Sequence, residues 1–396
     1  MITTIPPQYV RRTLVRLQSR GYQAYLVGGC VRDMLLGRQP NDWDICTSAL
    51  PRQVMELFRS SEPSGIQHGT VTVYINSHGV EVTTFRSESA YTDHRHPDAV
   101  SFVGDLNTDL ARRDFTMNAI ALPADGLIVD PFGGVEDIAR RQVRCVGEPL
   151  RRFDEDALRM FRALRFAARL DFEIEEKTGA AMREKAHLAS CLTAERIREE
   201  LEKTLLTHRP QTVFTALDAG LLDDYTLSRD AAPAAFESLE KLPRKALERW
   251  TGLGILLEDF GCVDSAESFL QKLCQDSRTV RCGGQAASLI KNGLPEADLP
   301  LKRLLNLCGV DTVLCAAACA DALYGGHSLK SVKRILKSGE CFSVKHLAIG
   351  GDELLELGLR GRQLGEMLDF LLDYVMEYPE NNRRELLLAL AQGTED

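Results

Sequence analysis

The stretch Leu26–Thr47, LVGGCVRDMLLGRQPNDWDICT, constrains this 396-residue chain more than any other. It reads as a strand, a Gly-Gly turn, a short helix, a loop and a second strand carrying Asp42-x-Asp44. Side chains at i and i+2 of a strand share a face about 6.5–7 Å apart, so the two carboxylates converge on one or two cations. Oxygen-only ligation suits Mg2+, which takes few carboxylates and completes its shell with water and phosphate oxygens. Gly28 and Gly29 let the backbone approach a triphosphate at the start of a helix whose dipole favours anions. Arg32 adds a forked donor for a phosphate. Each piece has an ordinary reading, since Asp-x-Asp is common on surfaces and Gly-Gly is usually a turn. Their joint occurrence in this order carries the argument. No Gly-x-Gly-x-x-Gly and no Gly-Lys-Ser/Thr is present, which removes the commonest dehydrogenase and ATPase readings.

Around this stretch the periodicities describe a mixed α/β segment to about residue 140. Residues 8–20 read as a helix with Val10, Leu14 and Leu17 on one face, stopped by Gly21. Short strands are expected at 24–27, 43–46, 70–75, 80–85 and 127–130, with helices at 31–37, 49–60 and 108–121. After residue 150 nearly every periodic segment to Ala391 reads as helix. Asp230–Pro233 and Gly283–Pro300 are the linker candidates. A catalytic head with a long helical arm suits an enzyme acting on a large, elongated substrate, though architecture alone does not set function.

Two further blocks carry charge. In RRDFTMNAIAL, 112–122, Arg112 and Arg113 fall on the predicted helix, and Arg112 reads more readily as a solvated basic residue. Asp130 with Gly133–Gly134 reads as a structural turn. In DEDALRMFRALRFAARLDF, 154–172, Arg159, Arg162, Arg165 and Arg169 fall within an arc of about 120°, Asp156 lies just beyond it, and Met160, Phe161 and Leu164 occupy the opposite side. A solvated helix face would mix Lys with Glu at i, i+4. An arc of arginines with one adjacent acid points instead to phosphate, base or RNA backbone.

Composition sets the limits. Lys+Arg 48 against Asp+Glu 57 gives a net charge of −9, which excludes a chain that coats nucleic acid indiscriminately but leaves room for a local basic face. The span 140–169 offers one, with nine arginines against Glu148, Asp154, Glu155 and Asp156. The most apolar run, Val313–Ala320, is far short of the roughly 20 residues needed to cross a bilayer. MITTIPPQYVRR has no apolar run behind its charges, so no signal peptide is expected. Eleven scattered cysteines without a Cys-x-x-Cys pair fit buried small hydrophobes in a reducing, cytoplasmic compartment. His94 and His96 have no second pair to complete a zinc site.

These blocks resemble the class II tRNA nucleotidyltransferases, the bacterial CCA-adding enzymes and their poly(A) polymerase relatives. The matching segments are LVGGCVRDMLLGRQPNDWDICT, HGTVTVYINSHGVEVTTFR, RSESAYTDHRHP, RRDFTMNAIAL and EDALRMFRALRFAARL, with a weaker return at 347–372. The resemblance implies an α+β protein: a mixed-sheet, polymerase-beta-like nucleotidyltransferase head (1–140), then an all-α neck (141–205), body (206–325) and tail (326–396). It implies that Asp42 and Asp44 hold Mg2+ and are catalytic, that Gly29, Arg32 and Arg113 hold the triphosphate, and that Gly28 shapes the turn. Glu81 is either a third carboxylate or a paired strand glutamate. EDALR would template the base: Asp156 accepts from the exocyclic amine of cytosine or adenine while Arg159 donates to the ring nitrogen, and Arg162 and Arg165 complete the nucleotide site. Cys30 and Trp43 depart from the family pattern without removing a ligand. No His-Asp pair suggests an attached phosphohydrolase.

The expected partners are CTP, ATP and the tRNA 3′ end, with no membrane; the oligomeric state is not legible. Within the family, CCA addition, addition of A alone and poly(A) synthesis compete. HGTVTV resembles the tRNA-directed enzymes, and the loop 86–97 resembles the element that permits the switch from C to A. A-adding specialists keep the same motifs and stay open. A tRNA-binding protein without catalysis is disfavoured by the intact Asp42, Asp44 and EDALR.

Overall fold

Short apolar runs bounded by turn residues build one six-stranded sheet. The computed structural model describes residues 5–88 and 100–393. The chain separates into two units, Met1–Asp224 and Tyr225–Asp396. In the first, α1 (Gln8–Gln18), β1 (Ala24–Val27), α2 (Gly29–Leu35), β2 (Asp44–Thr47), α3 (Pro51–Leu57), β3 (Ser61–Gly65), β4 (Thr70–Ile75) and β5 (His78–Thr84) come in order. A separate hairpin of β6 (Arg86–Glu88) and β7 (Val100–Phe102) leads to α4 (Leu106–Ala111) and β8 (Ala121–Leu122). The sheet order is β3-β4-β5-β2-β1-β8; β2 runs parallel to β5 and antiparallel to β1.

Period-two alternation gives the sheet two faces. Val27, Asp44 and Glu81 lie in one register row, so their side chains share a face. Val27 and Cys46 on that face join Leu106 and Leu110 of α4 in a buried cluster. Leu26, Ile45, Val80 and Val82 point the other way and are fully buried. Thr84 of that second face bonds Ala49 O just ahead of α3, and Arg16 of α1 lies over Phe58 at the end of α3, so α1 and α3 cover it together.

Beyond the sheet come α5 (Gly134–Ala139), β9 (Gln142–Val143), α6 (Pro149–Glu155), α7 (Leu158–Leu170), β10 (Glu173–Ile174), α8 (Glu176–Glu184), α9 (Ala194–Leu205) and α10 (Val213–Asp218). The second unit is helical: α11 (Pro233–Phe236), α12 (Ala246–Asp259), α13 (Ala266–Lys272), α14 (Ser277–Lys291), α15 (Asp298–Cys308), α16 (Val310–Tyr324), α17 (Ser328–Ser338), α18 (Gly351–Glu356), α19 (Arg362–Glu377) and α20 (Arg384–Ala391). One of its clusters joins Leu301, Leu305, Val313, Val332 and Ile335; a second runs from Cys341 to Leu387. Thus α17 packs with α15 and α16, and the last cluster begins after it.

The α+β reading holds, with differences in detail that have tertiary causes. Helix 108–121 is instead α4, a 3-10 turn Thr116–Asn118 and the strand β8. The backbone here bonds to a distant segment, with Thr116 N–H donating to Arg144 O and Val146 N–H to Asp114 O, and these bonds replace the helical ladder. Residues 127–130 form no strand; Val129 makes an isolated bridge to Ala121. The linker expected from Gly283 falls inside α14, where a Cβ on Gly283 would stand 2.8 Å from Leu270 and 2.9 Å from Thr251 Oγ1. That glycine permits close helix packing, and the real break is at 292–297. Val313–Ala320 is the buried face of α16. The C-to-A loop expected at 86–97, and His94 and His96, lie largely outside the described residues.

Candidate active site

Gly28 stands where β1 hands over to α2, at φ +75° and ψ −139°, a conformation open to glycine. A Cβ there would lie 3.3 Å from Arg113 Nη1 and 3.6 Å from Asp44 Oδ2. The glycine therefore keeps open a space bordered by a guanidinium and a carboxylate from separate segments. Asp44 opens β2 beside Glu81, its parallel-register partner on β5. Trp43 is buried between Asp42 and Asp44 and anchors the backbone that presents them. The Asp44 carboxyl is pushed up to about 6, first by burial and then by the neighbouring negative Glu81, with Arg113 opposing and Asp42 adding to the rise. Among the described residues no three Asp, Glu, His or Cys side chains are grouped closely enough to hold a metal ion by themselves.

Arg113 is held by a residue the sequence did not single out. Asp109, fully buried on α4, accepts from Arg113 Nη2 at 3.2 Å and from Arg112 Nε and Nη2 at 3.0 and 2.9 Å. These two guanidiniums hold the Asp109 carboxyl below its usual range despite burial. Arg112 is therefore a paired, largely buried residue and not a solvated one. Arg113 Nε is buried without a hydrogen-bond partner, so its donors are incompletely used.

Arg32 is more enclosed than a free phosphate clamp. Its side chain is 3% exposed, its Nε and Nη2 donate to Asp33 at 2.9 and 2.7 Å, and its Nη1 donates to Asn118 at 2.8 Å. Gly29 lies against it, since a Cβ there would be 3.4 Å from Arg32 Nη2. Asn118 in turn donates to Asp114, whose other oxygen accepts from Arg162 Nε and Nη2 at 3.0 and 2.6 Å. Asp114 thereby ties the turn arginine to an arginine of α7, and its carboxyl is lowered to about 2 by Arg162 against the cost of burial. Phe166 is the second tie. The Arg32, Arg162 and Arg165 guanidiniums lie 5.2, 5.6 and 4.4 Å from its ring centroid, within cation–π range. Asp114 was legible as the acid of RRD; Phe166 sits inside the arginine face, where period counting sees only an apolar interruption.

The expected single helix across 154–172 is broken. Asp156 ends α6 in extended conformation and its Oδ1 accepts from Leu158 N–H at 3.1 Å, starting α7. Burial raises the Asp156 carboxyl above its usual value, with Arg159 and Arg196 opposing. Arg159 faces elsewhere: its Nη1 donates to Glu155 at 2.7 Å and Arg152 O at 3.1 Å, and its Nη2 to Arg112 O at 3.1 Å. Arg165 Nε donates to the buried Glu200 of α9 at 2.6 Å. The arginine-rich span is thus largely neutralised by acids within and around it: Arg140 by Glu136, Arg141 by Asp171, Arg144 by Asp137, and Arg151, Arg152 and Arg159 by Glu155. The acids paired with Arg162 and Arg165, Asp114 and Glu200, lie 48 and 35 residues away, and sequence distance hid those two.

A mixed sheet presenting carboxylates beside a glycine turn, with an arginine-bearing helix tied to that turn through Asp114 and Phe166, fits a nucleotidyltransferase. Residues 24–144 match the family described as Poly A polymerase head domain, and 171–225 match that described as Probable RNA and SrmB- binding site of polymerase A. The chain is 36% identical to a CCA-adding enzyme of Levilactobacillus brevis over 96% of both chains. It is 34% identical to one from Enterococcus faecalis over 99% of this chain and 97% of the relative. A crystal structure of the Bacillus stearothermophilus CCA-adding enzyme in complex with CTP superposes with a TM-score of 0.78 at 31% identity, covering 98% of this chain and 97% of the other. The chain belongs to the CCA-adding enzyme family.

Proposed function

We propose that this chain adds C, C and A in turn to the 3′ end of tRNA, taking CTP and ATP and releasing pyrophosphate. The observation that carries the reading is likeness to CCA-adding enzymes along the whole chain, 36% over 96% of both, with Asp42, Asp44 and EDALR in place. The solved relative with CTP supports a nucleoside triphosphate in this head.

The donor set fits a divalent cation. Asp44 is held up at about 6 by burial and by adjacent carboxylates that Arg113 only partly offsets, and added positive charge relieves that repulsion. Asp42 and Asp44 would hold it, beside the negative charge of Glu81; oxygen donors favour Mg2+, which needs no all-protein cage because phosphates and water fill its shell. Bound there, the cation would supply charge stabilisation for the departing pyrophosphate and would favour loss of the 3′-hydroxyl proton. The protein's own groups do the rest. Gly28 leaves room for a phosphate between Asp44 and Arg113. Arg113, fixed by Asp109, donates to the triphosphate, and Gly29 and Arg32 line the turn beneath it. The 3′-hydroxyl attacks the α-phosphorus, the bond to the β-phosphate oxygen breaks, and positioning supplies most of the acceleration.

Asp156 keeps an oxygen for the exocyclic amine of cytosine or adenine, and Arg159 donates to the ring nitrogen on turning from Glu155. Arg162 and Arg165, held by Asp114 and Glu200, border the nucleotide. Uracil and guanine reverse that donor–acceptor order and leave a buried group unpaired, costing about 1–3 kcal/mol or more. A cytoplasmic setting goes with a tRNA substrate and eleven cysteines outside any disulfide.

The test is a 3′-extension assay with Mg2+ on tRNAs ending before C74, after C74 and after C75. Growth of the shortest substrate to a full CCA end, with UTP and GTP refused, is the expected result. Extension of only the substrate ending in CC would make the chain an A-adding specialist. Binding without extension would overturn the catalytic reading.

A further inference from the structure

We propose that α1 carries a second RNA contact, a stripe of arginines that grips phosphodiester backbone on the sheet face opposite the carboxylates. The first 32 residues hold five arginines and no acid, in a chain of net charge −9. Four of them, Arg11, Arg12, Arg16 and Arg20, are exposed on α1, while Val10, Thr13, Leu14 and Leu17 bury the inner side. Among the described residues none of the four makes an ion pair; the charged-pair series along the chain opens with Arg32 and Arg52. The contrast is with the span 140–169, where acids inside the span and beyond it pair most guanidiniums. Like charges at i, i+4 destabilise a helix by a few tenths of a kcal/mol per pair. Arg12, Arg16 and Arg20 repeat that spacing twice, with no acid on the helix to offset it.

Geometry favours RNA as the partner. Four residues of helix rise about 6 Å, so the three guanidiniums are spaced close to successive phosphates of one strand. The residue type is arginine throughout, whose planar fork suits phosphate oxygens, and no lysine occurs before Lys177. Arg11, Arg12 and Arg16 border an open groove of about 810 Å³ with Tyr74 and Asn76 on its other wall. Glu62 lies behind that wall, where it accepts from Tyr74 Oη at 3.0 Å and makes no ion pair with α1. Because α1 covers the face opposite Asp44 and Glu81, the contact is to backbone away from the reacting 3′ end. The inference rests on the RNA-directed reading above.

The experiment compares wild type with an Arg12→Ala/Arg16→Ala/Arg20→Ala variant, measuring binding of labelled tRNA lacking CCA across a salt series, and CTP incorporation at saturating tRNA. Each lost phosphate contact lowers the slope of log affinity against log salt by about 0.7–0.9, so a fall of about two to three is expected, with kcat and the KM for CTP unchanged. Arg→Lys replacements at the same three positions keep most of the slope. An unchanged slope in the triple variant, with wild type still adding CCA, overturns this proposal and leaves the enzymatic reading intact. A wild type that binds tRNA and adds nothing defeats the enzymatic reading instead. Loss of binding to phosphatidylglycerol vesicles with the tRNA slope intact would make α1 a membrane contact and sink the RNA proposal.

Discussion

At the residue scale the site is organised by carboxylates that never need to touch substrate. Asp114 accepts from Phe115 N–H, Asn118 and both prongs of Arg162, and through Asn118 it steadies Arg32. Asp114→Asn leaves the Arg162 charge with half a partner, and we expect a loss of about 2–3 kcal/mol in urea unfolding. We also expect KM for both CTP and ATP to rise about tenfold, since two arginines loosen together. The pH dependence has a definite sign. A carboxyl depressed to about 2 in the folded state, against about 3.9 unfolded, contributes stability above pH 4 and loses it as pH falls through 2. The stability gap between wild type and the Asn variant is therefore constant above about pH 4 and narrows below it. Asp156→Ala tests base reading: UTP should enter at a rate within about tenfold of CTP while total incorporation falls, and retained refusal of UTP would remove Asp156 from the template.

At the element scale, close approach of segments sets the positions of the arginines. A Cβ on Gly134, first residue of α5, would lie 2.2 Å from Thr116 O, and the Asp130 carboxylate caps that helix by accepting from Gly134 and Val135 N–H at 2.8 Å each. The obstacle is backbone, so no side chain can give way. Gly134→Ala should cost about 2–3 kcal/mol in thermal unfolding and raise nucleotide KM, because the displaced turn carries Asn118. The turn at 130–134 is structural, as its residues suggested, and its effect on the site passes through that turn. Strand existence was legible at β1, an apolar run buried except for the half-buried Tyr25, and at β4, where buried Val71 and Val73 alternate with half-buried Thr70 and Thr72. The 112–122 segment was not, because its backbone partners are some 30 residues away.

At the scale of the whole molecule the cysteines give a direct check. Cys191 and Cys274 are exposed, Cys308 is partly buried and the other eight are buried, with burial pushing Cys30 and Cys145 up to about 12. A thiol reagent should titrate two groups rapidly in the native protein, a third slowly and all eleven in guanidinium; more than three fast groups would contradict the packing. The sequence by itself determined the class of fold, the carboxylate pair, the glycine turn and the order of head and helical arm. These are local patterns, set by side-chain period and by residue types that few other conformations use. Only the tertiary structure decided which arginines are free. Charge pairing depends on distance in space, so the sequence-distant Asp114 and Glu200 join Glu155 in offsetting much of the positive charge along 140–169, while the acid-free start of the chain keeps its own exposed.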